Sequence, residues 1–333
     1  MQKYFITTNL LLLLSLLFVQ TFAQALTLEK LIDENASQKS STKINKPQAG
    51  TWIYQGFAAT LPLESLLLEI ASQTFQTQEH YDYAGTKTKP GEGESYEQND
   101  INLFAAYGLY PKVELQTGAR FRDNSSSSMD WRGRRYSGKN RGFESWMIGI
   151  KSKIYSSNKW CLTVGNTLRF PAYKNRMAPS QEKGRNTTTK PTLGDASREY
   201  RAALLLSRSS EKNFILSSEI GYQARQNFSQ EIPYALEIAL LIRNYFDLFA
   251  GIRGIHSLST DGSRNNYESK PPIFTGPTNL HNSINRSYLM HFYGLHLRLH
   301  SSWQVMLEWS SLLKGRSTDG GGRVTAALAW KID

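Results

Sequence analysis

The side chains that could catalyse a reaction are few in this sequence. His281, Ser283 and Asn285 have the residue types of a Ser-His-Asn hydrolase, but they fall in one polar segment without a strand to fix their geometry. His296 and His300 share a face of a predicted strand, yet they are about 13 Å apart along it, too far to bind one ion. We therefore expect no catalytic residue, no metal site, no cofactor, and a protein that is not an enzyme.

Charged side chains are the larger group that could take part in binding or chemistry, and they recur at every second position. In one predicted strand Leu236 and Ile238 share a face, while Glu237 and Arg243 share the other. Aliphatic side chains that face out and charged ones that face in invert the pattern of a soluble barrel. The predicted lumen-lining residues are Glu114, Arg120, Arg122, Lys151, Arg169, Arg201, Glu219, Arg225, Glu237, Arg243, Arg253, Arg298 and Glu308.

The elements that position these residues are predicted to be strands, which cover most of the chain after residue 65. Apolar residues alternate over roughly ten residues at a time, as transmembrane β-strands require. The predicted strands span residues 66–83, 96–110, 112–123, 143–155, 159–173, 196–209, 212–225, 233–244, 245–257, 286–301, 303–314 and 323–332. An even strand count places both termini of the chain on the periplasmic side.

The connections between these strands alternate in length. Short turns such as Tyr110-Pro111 are followed by long polar loops, which span residues 84–95, 124–141, 174–195, 258–285 and 315–322. The predicted fold class is therefore all-β: a transmembrane antiparallel up-and-down β-barrel of about 12 strands, with short periplasmic turns and long extracellular loops. Aromatic residues near the strand ends, among them Tyr96 and Phe170 at the external end, predict interfacial girdles.

The N-terminus predicts export to the bacterial outer membrane. Lys3 precedes an apolar run over residues 10–19, and Ala23-Gln24-Ala25 is a small-residue cleavage site. Cys161 is the only cysteine, so a continuous ring of strand hydrogen bonds, and not an intrachain disulfide, would close the exported protein. The expected domains are a signal peptide over residues 1–25, a periplasmic N-terminal segment and linker over residues 26–64 that forms a tail or partial plug, and an outer-membrane β-barrel over residues 65–333.

Two interpretations of the inner face stay open. A polar, mainly cationic lumen could select or orient a solute in a channel or transporter. Alternatively, internal ion pairs could close the lumen of a structural or adhesive barrel. Lumen width grows with strand count and twelve strands are intermediate, so the sequence does not choose between them. A lipid-modifying or proteolytic enzyme at the external rim is the less favoured alternative.

Basic residues are concentrated over residues 131–141 (WRGRRYSGKNR), at the predicted external end. Arginine is well shaped to bind phosphate, so this segment could contact lipopolysaccharide; a solvated loop is the alternative. The candidate residues are Arg132, Arg134, Arg135 and Arg141. No nucleic-acid motif accompanies the net charge of +11. The expected partners are outer-membrane lipid, lipopolysaccharide and a small-molecule solute, and no nucleic acid.

Two short motifs in the middle of the chain carry a family resemblance. Leu193-Gly194-Asp195 ends a loop before a long aliphatic strand, and the next strand contains Glu-x-Gly-Tyr-x-x-Arg over residues 219–225. This arrangement resembles the outer-membrane proteins of the phenol-degradation meta-pathway type, which are grouped with the FadL-like transporters. The resemblance implies passive uptake of small, often hydrophobic or aromatic, compounds. It implies no catalytic residue, and it does not name the solute.

The sequence departs from the family pattern at two places. Gly142-Phe143-Glu144-Ser145 stands where the family often has Gly-Phe-Gly-Asp before the fourth strand. The chain ends on Trp330-Lys331-Ile332-Asp333, and not on the terminal aromatic residue of many outer-membrane barrels.

Overall fold

The computed structural model describes residues 56–82, 84–129, 133, 135–173, 191, 193–209, 214–226, 228–242, 246–258, 285–300 and 302–333. These residues form one antiparallel sheet whose strands follow each other in chain order. The strands are β1 (Leu66–Tyr81), β2 (Lys87–Thr88), β3 (Ser95–Tyr110), β4 (Val113–Met129), β5 (Arg135–Ser156), β6 (Trp160–Pro171), β7 (Glu199–Ser209), β8 (Phe214–Arg225), β9 (Gln230–Ile242), β10 (Phe246–Ser257), β11 (Ser287–His300), β12 (Trp303–Arg316) and β13 (Thr318–Ile332).

Twelve of these strands close into a barrel because the last one pairs with the first. The β1–β13 ladder runs from Leu66 opposite Ile332 to Tyr81 opposite Thr318. We call the Leu66 end of the barrel the lower end and the Tyr81 end the upper end. The two-residue strand β2 lies outside the ring and pairs only with the end of β1. The closed ring confirms the predicted all-β, antiparallel barrel of about twelve strands, and within the described residues β2 is the one strand that the sequence did not predict.

The strand faces follow the predicted parity. On β9, Leu236 and Ile238 are 42% and 53% exposed, whereas Glu237 between them is 6% exposed. The aliphatic row therefore points away from the barrel and the carboxylate points into it. Within the described ranges, no helix is both long enough and apolar enough to cross a membrane.

Aromatic side chains pack in pairs on the outer face near both ends of the barrel. At the lower end, Trp303 and Trp330 stack at 5.2 Å with an interplanar angle of 3°. At the upper end, Trp146 and Phe170 stack at 4.4 Å. The prediction that Tyr96 belongs to the external girdle is wrong, because its ring is 1% exposed and packs inside the barrel. Tyr96 follows the parity of the inner face, which its position near a strand end did not reveal.

Two of the predicted long loops are mostly strand. β4 continues to Met129 and β5 begins at Arg135, so the loop predicted over residues 124–141 is wrong for most of its length. Its pairing continues through Ser125 opposite Lys139. Both faces of this upper hairpin are polar, so the alternation that identifies a half-buried strand is absent from the sequence.

The loop predicted over residues 315–322 is also wrong. β12 ends at Arg316 and β13 begins at Thr318, which leaves only Ser317 between them, with φ at 48°. The glycines that indicated a loop permit close packing instead. A Cβ atom on Gly321 would lie 1.8 Å from the carbonyl oxygen of Gln76.

Candidate functional site: the barrel interior

Residues 56–65, which we call the lumen segment, lie inside the lower half of the barrel. The Ala58 amide donates a hydrogen bond to Ser207 Oγ at 3.0 Å. The Ala58 carbonyl oxygen accepts hydrogen bonds from Thr163 Oγ1 and from Cys161 Sγ. Because these partners come from β6 and β7, across the ring from β1, the segment crosses the interior before the chain enters the barrel wall.

The other end of the lumen segment is held by charged residues and by a tight turn. Glu114 Oε2 accepts a hydrogen bond from the Leu61 amide at 2.8 Å, and Lys151 donates one to the Ala59 carbonyl oxygen. The segment then passes so close to β3 that a Cβ atom on Gly108 would lie 1.7 Å from the carbonyl oxygen of Pro62. Only glycine fits at this point of β3.

The ring of Phe57 lines two cavities in the interior. The first cavity, of about 500 Å³, extends towards β9–β13, and the second, of about 510 Å³, extends towards β4–β8. Cavities of this size are within the range that holds a small molecule. The lumen segment therefore stands between two spaces that differ in chemistry.

The first cavity has an apolar wall that was not predicted from the sequence. Phe249 and Phe292 are 4% and 3% exposed and pack with Ile215 and Ala239. The Phe249 and Phe292 rings are 6.1 Å apart. These residues have the same parity as the charged inner-face residues, so the alternation could have found them if apolar side chains had been considered at inner positions.

Ion pairs line the same cavity beside this wall. Arg253 binds Glu308 through both of its terminal nitrogens, and its guanidinium lies 4.8 Å from the centre of the Phe292 ring. Arg201 pairs with Glu219. The first cavity thus combines an aromatic surface with paired charges, which suits a molecule that has an apolar body and a polar group.

The second cavity is more polar than the first, and a chain of buried ion pairs lies at its upper end. Arg122 begins the chain: it donates to Asp100 Oδ1 at 2.7 Å and Oδ2 at 2.9 Å, and to the Leu193 carbonyl oxygen at 2.6 Å. Arg122 also lines a third, upper cavity of about 250 Å³. The arginine therefore stands between the upper cavity and the second cavity.

Arg169 continues the chain with three carboxylates. Its terminal nitrogens lie 2.6 Å from Glu144, 2.7 Å from Glu199 and 3.1 Å from Asp195. Glu144 is one of the residues at which the sequence departs from the pattern of the family that it resembles. The structure gives this departure a role, because the Glu144 carboxylate neutralises part of the charge of Arg169 and Arg122.

Arg225 and Arg286 complete the chain. Arg225 lies 2.8 Å from Asp195 and 2.7 Å from Glu231, and Arg286 lies 3.2 Å from Glu231. We call the whole set the ion-pair network; its members are Asp100, Arg122, Glu144, Arg169, Asp195, Glu199, Arg225, Glu231 and Arg286. The network contains five carboxylates and four guanidinium groups, so its charges nearly balance and it is not strongly cationic.

Asp195 enters this network from a segment outside the strands. A Cβ atom on Gly194 would lie 2.5 Å from the Tyr173 hydroxyl and 2.7 Å from Glu144 Oε1, so the glycine lets the backbone pass close to both. Burial alone would raise the pKa of the Asp195 carboxyl, but Arg225 and Arg169 outweigh it and hold this pKa well below its ordinary value. The Leu-Gly-Asp motif therefore anchors a loop inside the barrel, whereas the sequence indicated only that it ends a loop before a strand.

The predicted lumen-lining residues divide by position. Those that line the first or second cavity are Arg120, Arg122, Lys151, Arg169, Arg201, Glu219, Glu237, Arg253 and Glu308. Arg225 and Glu114 are buried in the contacts described above, and Arg298 lies opposite Gln304 near the lower end. Arg243 lies outside the described residues. Contact of any of them with a solute stays a prediction.

The predicted lipopolysaccharide contacts lie apart from the interior. Arg135 and Arg141 are exposed on β5, above Phe143 and on the same outer face. Arg132 and Arg134 lie outside the described residues.

The residue types weighed for catalysis are not assembled into a site that the structure describes. His281 and Ser283 lie outside the described residues. His296 Nδ1 lies 2.6 Å from Asp247 Oδ1 inside the barrel. In the part of the chain that the structure describes, no group of three or more His, Cys, Asp or Glu side chains could hold a metal ion.

Similarity to known proteins is found only among solved structures. No protein-family model and no curated protein matches the sequence. The barrel is similar to an outer membrane channel from Pseudomonas putida F1, with a TM-score of 0.58 and 11% identity over 84% of this chain and 100% of that one.

The NanC porin is less similar, with a TM-score of 0.47 and 8% identity over 80% of this chain and 100% of that one. A deletion mutant of the TodX monoaromatic hydrocarbon channel has a TM-score of 0.42 and 10% identity over 81% of this chain and 91% of that one. These two fits are too loose to support an inference. Membership in the phenol-degradation meta-pathway type stays a prediction. The chain thus shares its fold with an outer membrane channel.

Proposed function

We propose that this protein is an outer-membrane channel for the passive uptake of small solutes. The observation that carries the proposal is an aliphatic outer face around an interior that holds two cavities of about 500 Å³ each. Side chains such as Ile238 would be costly in water and suit hydrocarbon. On this proposal, residues 1–25 are a cleaved signal peptide, residues 26–55 are periplasmic and lead into the lumen segment, and the protein is not an enzyme.

The solute class that fits best is small and hydrophobic or aromatic. The wall formed by Phe249 and Phe292 offers ring faces to such a molecule, and Arg253 and Glu308 offer polar groups beside it. Aromatic surfaces bury a large apolar area on contact, so a flat apolar solute would gain most in the first cavity. A sugar would have to leave its hydration shell against the same wall.

Uptake of an apolar probe tests the solute class. Cells that express the protein should take up N-phenyl-1-naphthylamine faster than cells without it, because an intact lipopolysaccharide leaflet slows the entry of apolar molecules. Phe249→Asp should remove most of this gain. The matched control is Ile238→Asn, which adds a polar group on the outer face; uptake per folded molecule should be unchanged. Equal uptake in the Phe249→Asp variant and the wild type would contradict the proposed class.

Charge reversal tests whether ions pass through the first cavity. Arg253→Glu places two carboxylates side by side in the first cavity and should shift ion selectivity towards cations in planar bilayers. The exchange Arg253→Glu with Glu308→Arg should restore the original selectivity. Arg208→Glu, at an exposed position on the lower end of β7, is the control. Unchanged selectivity and conductance in Arg253→Glu would exclude a path through the first cavity.

A closed structural or adhesive barrel is the second candidate, and the ion-pair network together with the lumen segment favours it. Arg225 and Glu231 have fully buried side chains, and Ala58 is fully buried as well. If these contacts never open, the wild type will give neither conductance in planar bilayers nor probe uptake. Either signal, lost on denaturation, would exclude the closed barrel.

A further inference from the structure

The outer face of β13, β1, β3 and β4 contains an apolar groove of about 600 Å³. Its floor is made by short side chains, Ala105, Thr117 and Ala119, and tall ones such as Trp146 and Trp330 stand at its sides. The Thr117 hydroxyl donates to the Met147 carbonyl oxygen at 3.0 Å. The only side-chain hydroxyl of the floor is therefore bonded to the backbone, and the groove presents hydrocarbon.

The groove runs between the two aromatic pairs of the outer face. Trp303 and Trp330 bound it towards the lower end, and Trp146 bounds it towards the upper end. Aromatic belts mark the two headgroup layers of a membrane barrel. The groove therefore lies at the depth of lipid acyl chains, and a chain seated in it would touch side chains on several sides instead of one.

A basic row stands above this groove on β5. Arg141 and Lys139 are exposed and have the same parity as Phe143, on the outer face. At about 3.3 Å per residue they lie roughly 7 Å and 13 Å beyond Phe143 along the strand. With a strand tilt of about 40°, these distances correspond to heights of roughly 5 Å and 10 Å. A headgroup layer is roughly 5–8 Å thick, so both side chains can reach phosphates in it.

The remaining charged neighbours refine this assignment. Arg135 lies about 26 Å beyond Phe143 along the strand, well above the headgroup phosphates. Asp123 is exposed and pairs with Arg141 across the β4–β5 ladder, so it offsets part of the charge of Arg141. Lys139 pairs with Ser125 and has no such neighbour in the ladder. Two cations about 7 Å apart along one strand suit a headgroup with more than one phosphate.

We propose that this face binds a phosphorylated, multiply acylated lipid of the lipid A class. One acyl chain lies in the groove, and phosphate groups contact Arg141 and Lys139. Charge complementarity selects the phosphorylated headgroup, and the groove selects a lipid over a soluble polyphosphate. The site lies on the outside of the barrel and does not depend on the channel proposed above.

The test measures lipid binding to the full chain. Purified protein is stripped of lipid in detergent, titrated with lipid A or with phosphatidylglycerol, and examined by native mass spectrometry. We expect lipid A to bind in preference to phosphatidylglycerol. Arg141→Ala with Lys139→Ala should weaken lipid A binding by about tenfold or more, because each charge-assisted contact contributes about 1.5–3 kcal/mol and 1.4 kcal/mol is tenfold.

A second variant tests the groove independently of charge. Ala119→Phe fills the floor and should weaken the binding of lipid A while the basic row is intact. The controls are Arg208→Ala, which removes an exposed cation at the lower end, and Leu204→Phe, which enlarges an exposed outer-face residue of β7. Both should bind as the wild type does. Far-ultraviolet circular dichroism establishes that each variant is folded.

Three outcomes would overturn the proposal. Equal affinity for lipid A and phosphatidylglycerol would mean that the face binds any anionic lipid. Unchanged binding in the double alanine variant would remove the basic row from the site, and unchanged binding in Ala119→Phe would remove the groove. Conductance is expected to be unchanged in all these variants, so failure of this proposal is distinguishable from failure of the channel.

Discussion

Arg225 Nη2 lies 2.8 Å from Asp195 Oδ2 inside the barrel, and the guanidinium of Arg225 is fully buried. Arg225 belongs to the strand β8, whereas Asp195 belongs to the irregular segment before β7. A loop that could have stayed outside is thus tied to the barrel wall by charge. The same carboxylate lies 3.1 Å from Arg169 on β6, so Asp195 links two strands through the interior.

Asp195→Asn should destabilise the barrel and loosen the loop. The substitution leaves Arg225 and Arg169 with one negative charge fewer between them, and removal of one partner from a buried ion pair costs about 3–5 kcal/mol. Because an amide still accepts hydrogen bonds, we expect about 3 kcal/mol, measured as the free energy of unfolding by urea in lipid vesicles. Asp123→Asn, on the exposed outer face, should change it by less than about 0.5 kcal/mol. Equal effects of the two substitutions would contradict the network.

The contribution of Asp195 to the free energy of unfolding should depend on pH only under acidic conditions. Its folded pKa is held below the unfolded value of about 3.9, so the contribution is complete above that value and is lost as the pH falls towards the folded pKa. The difference in unfolding free energy between the wild type and Asp195→Asn should therefore be constant from pH 5 to pH 8 and shrink below about pH 4. A difference that stays constant below pH 4, or grows as the pH falls, would show that the pKa of Asp195 is not depressed.

Gly108→Ala should displace the lumen segment. Its methyl group would meet the carbonyl oxygen of Pro62, and this backbone atom cannot move alone. We expect a loss of stability of about 1–3 kcal/mol, typical of overpacking, together with a higher conductance as the segment withdraws. Gly165→Ala is the matched control, since its Cβ atom would meet only Leu205 Cδ1 at 3.7 Å. A stable Gly108→Ala variant with wild-type conductance would show that the segment does not restrict the path.

Parity alone allowed the prediction of the barrel and of which residues face inward. Glu237 and Ile238 take opposite faces as expected, because the side-chain period of a strand does not depend on tertiary context. The same rule did not predict that residues 124–129 continue the strand β4, where Asn124 is buried and Ser125 is half-buried. Near the upper end of the barrel both faces of these strands are polar, so the pattern no longer distinguishes a strand from a loop.

The interior was harder to predict because its contacts are distant in sequence. Arg169 was predictable from the sequence as an inner-face residue, but its pairing with Glu144 and Asp195, which lie 25 and 26 residues away, was not. The register between β4 and β5 shifts at Arg120 and Phe121, opposite Glu144. Simple alternation along β5 therefore does not predict that the Glu144 side chain points inward. Asp195 lies outside any strand. A single period can assign faces, but it cannot pair charges that only the closed barrel brings together.

Cys161 Sγ lies 3.2 Å from the carbonyl oxygen of Ala58, and the chain has no other cysteine. The lumen segment therefore contacts the one thiol of the sequence, which is half-buried. Withdrawal of the segment would expose this thiol further, so a faster reaction of the wild type with a bulky maleimide would report that the interior has opened, with no engineered residue required.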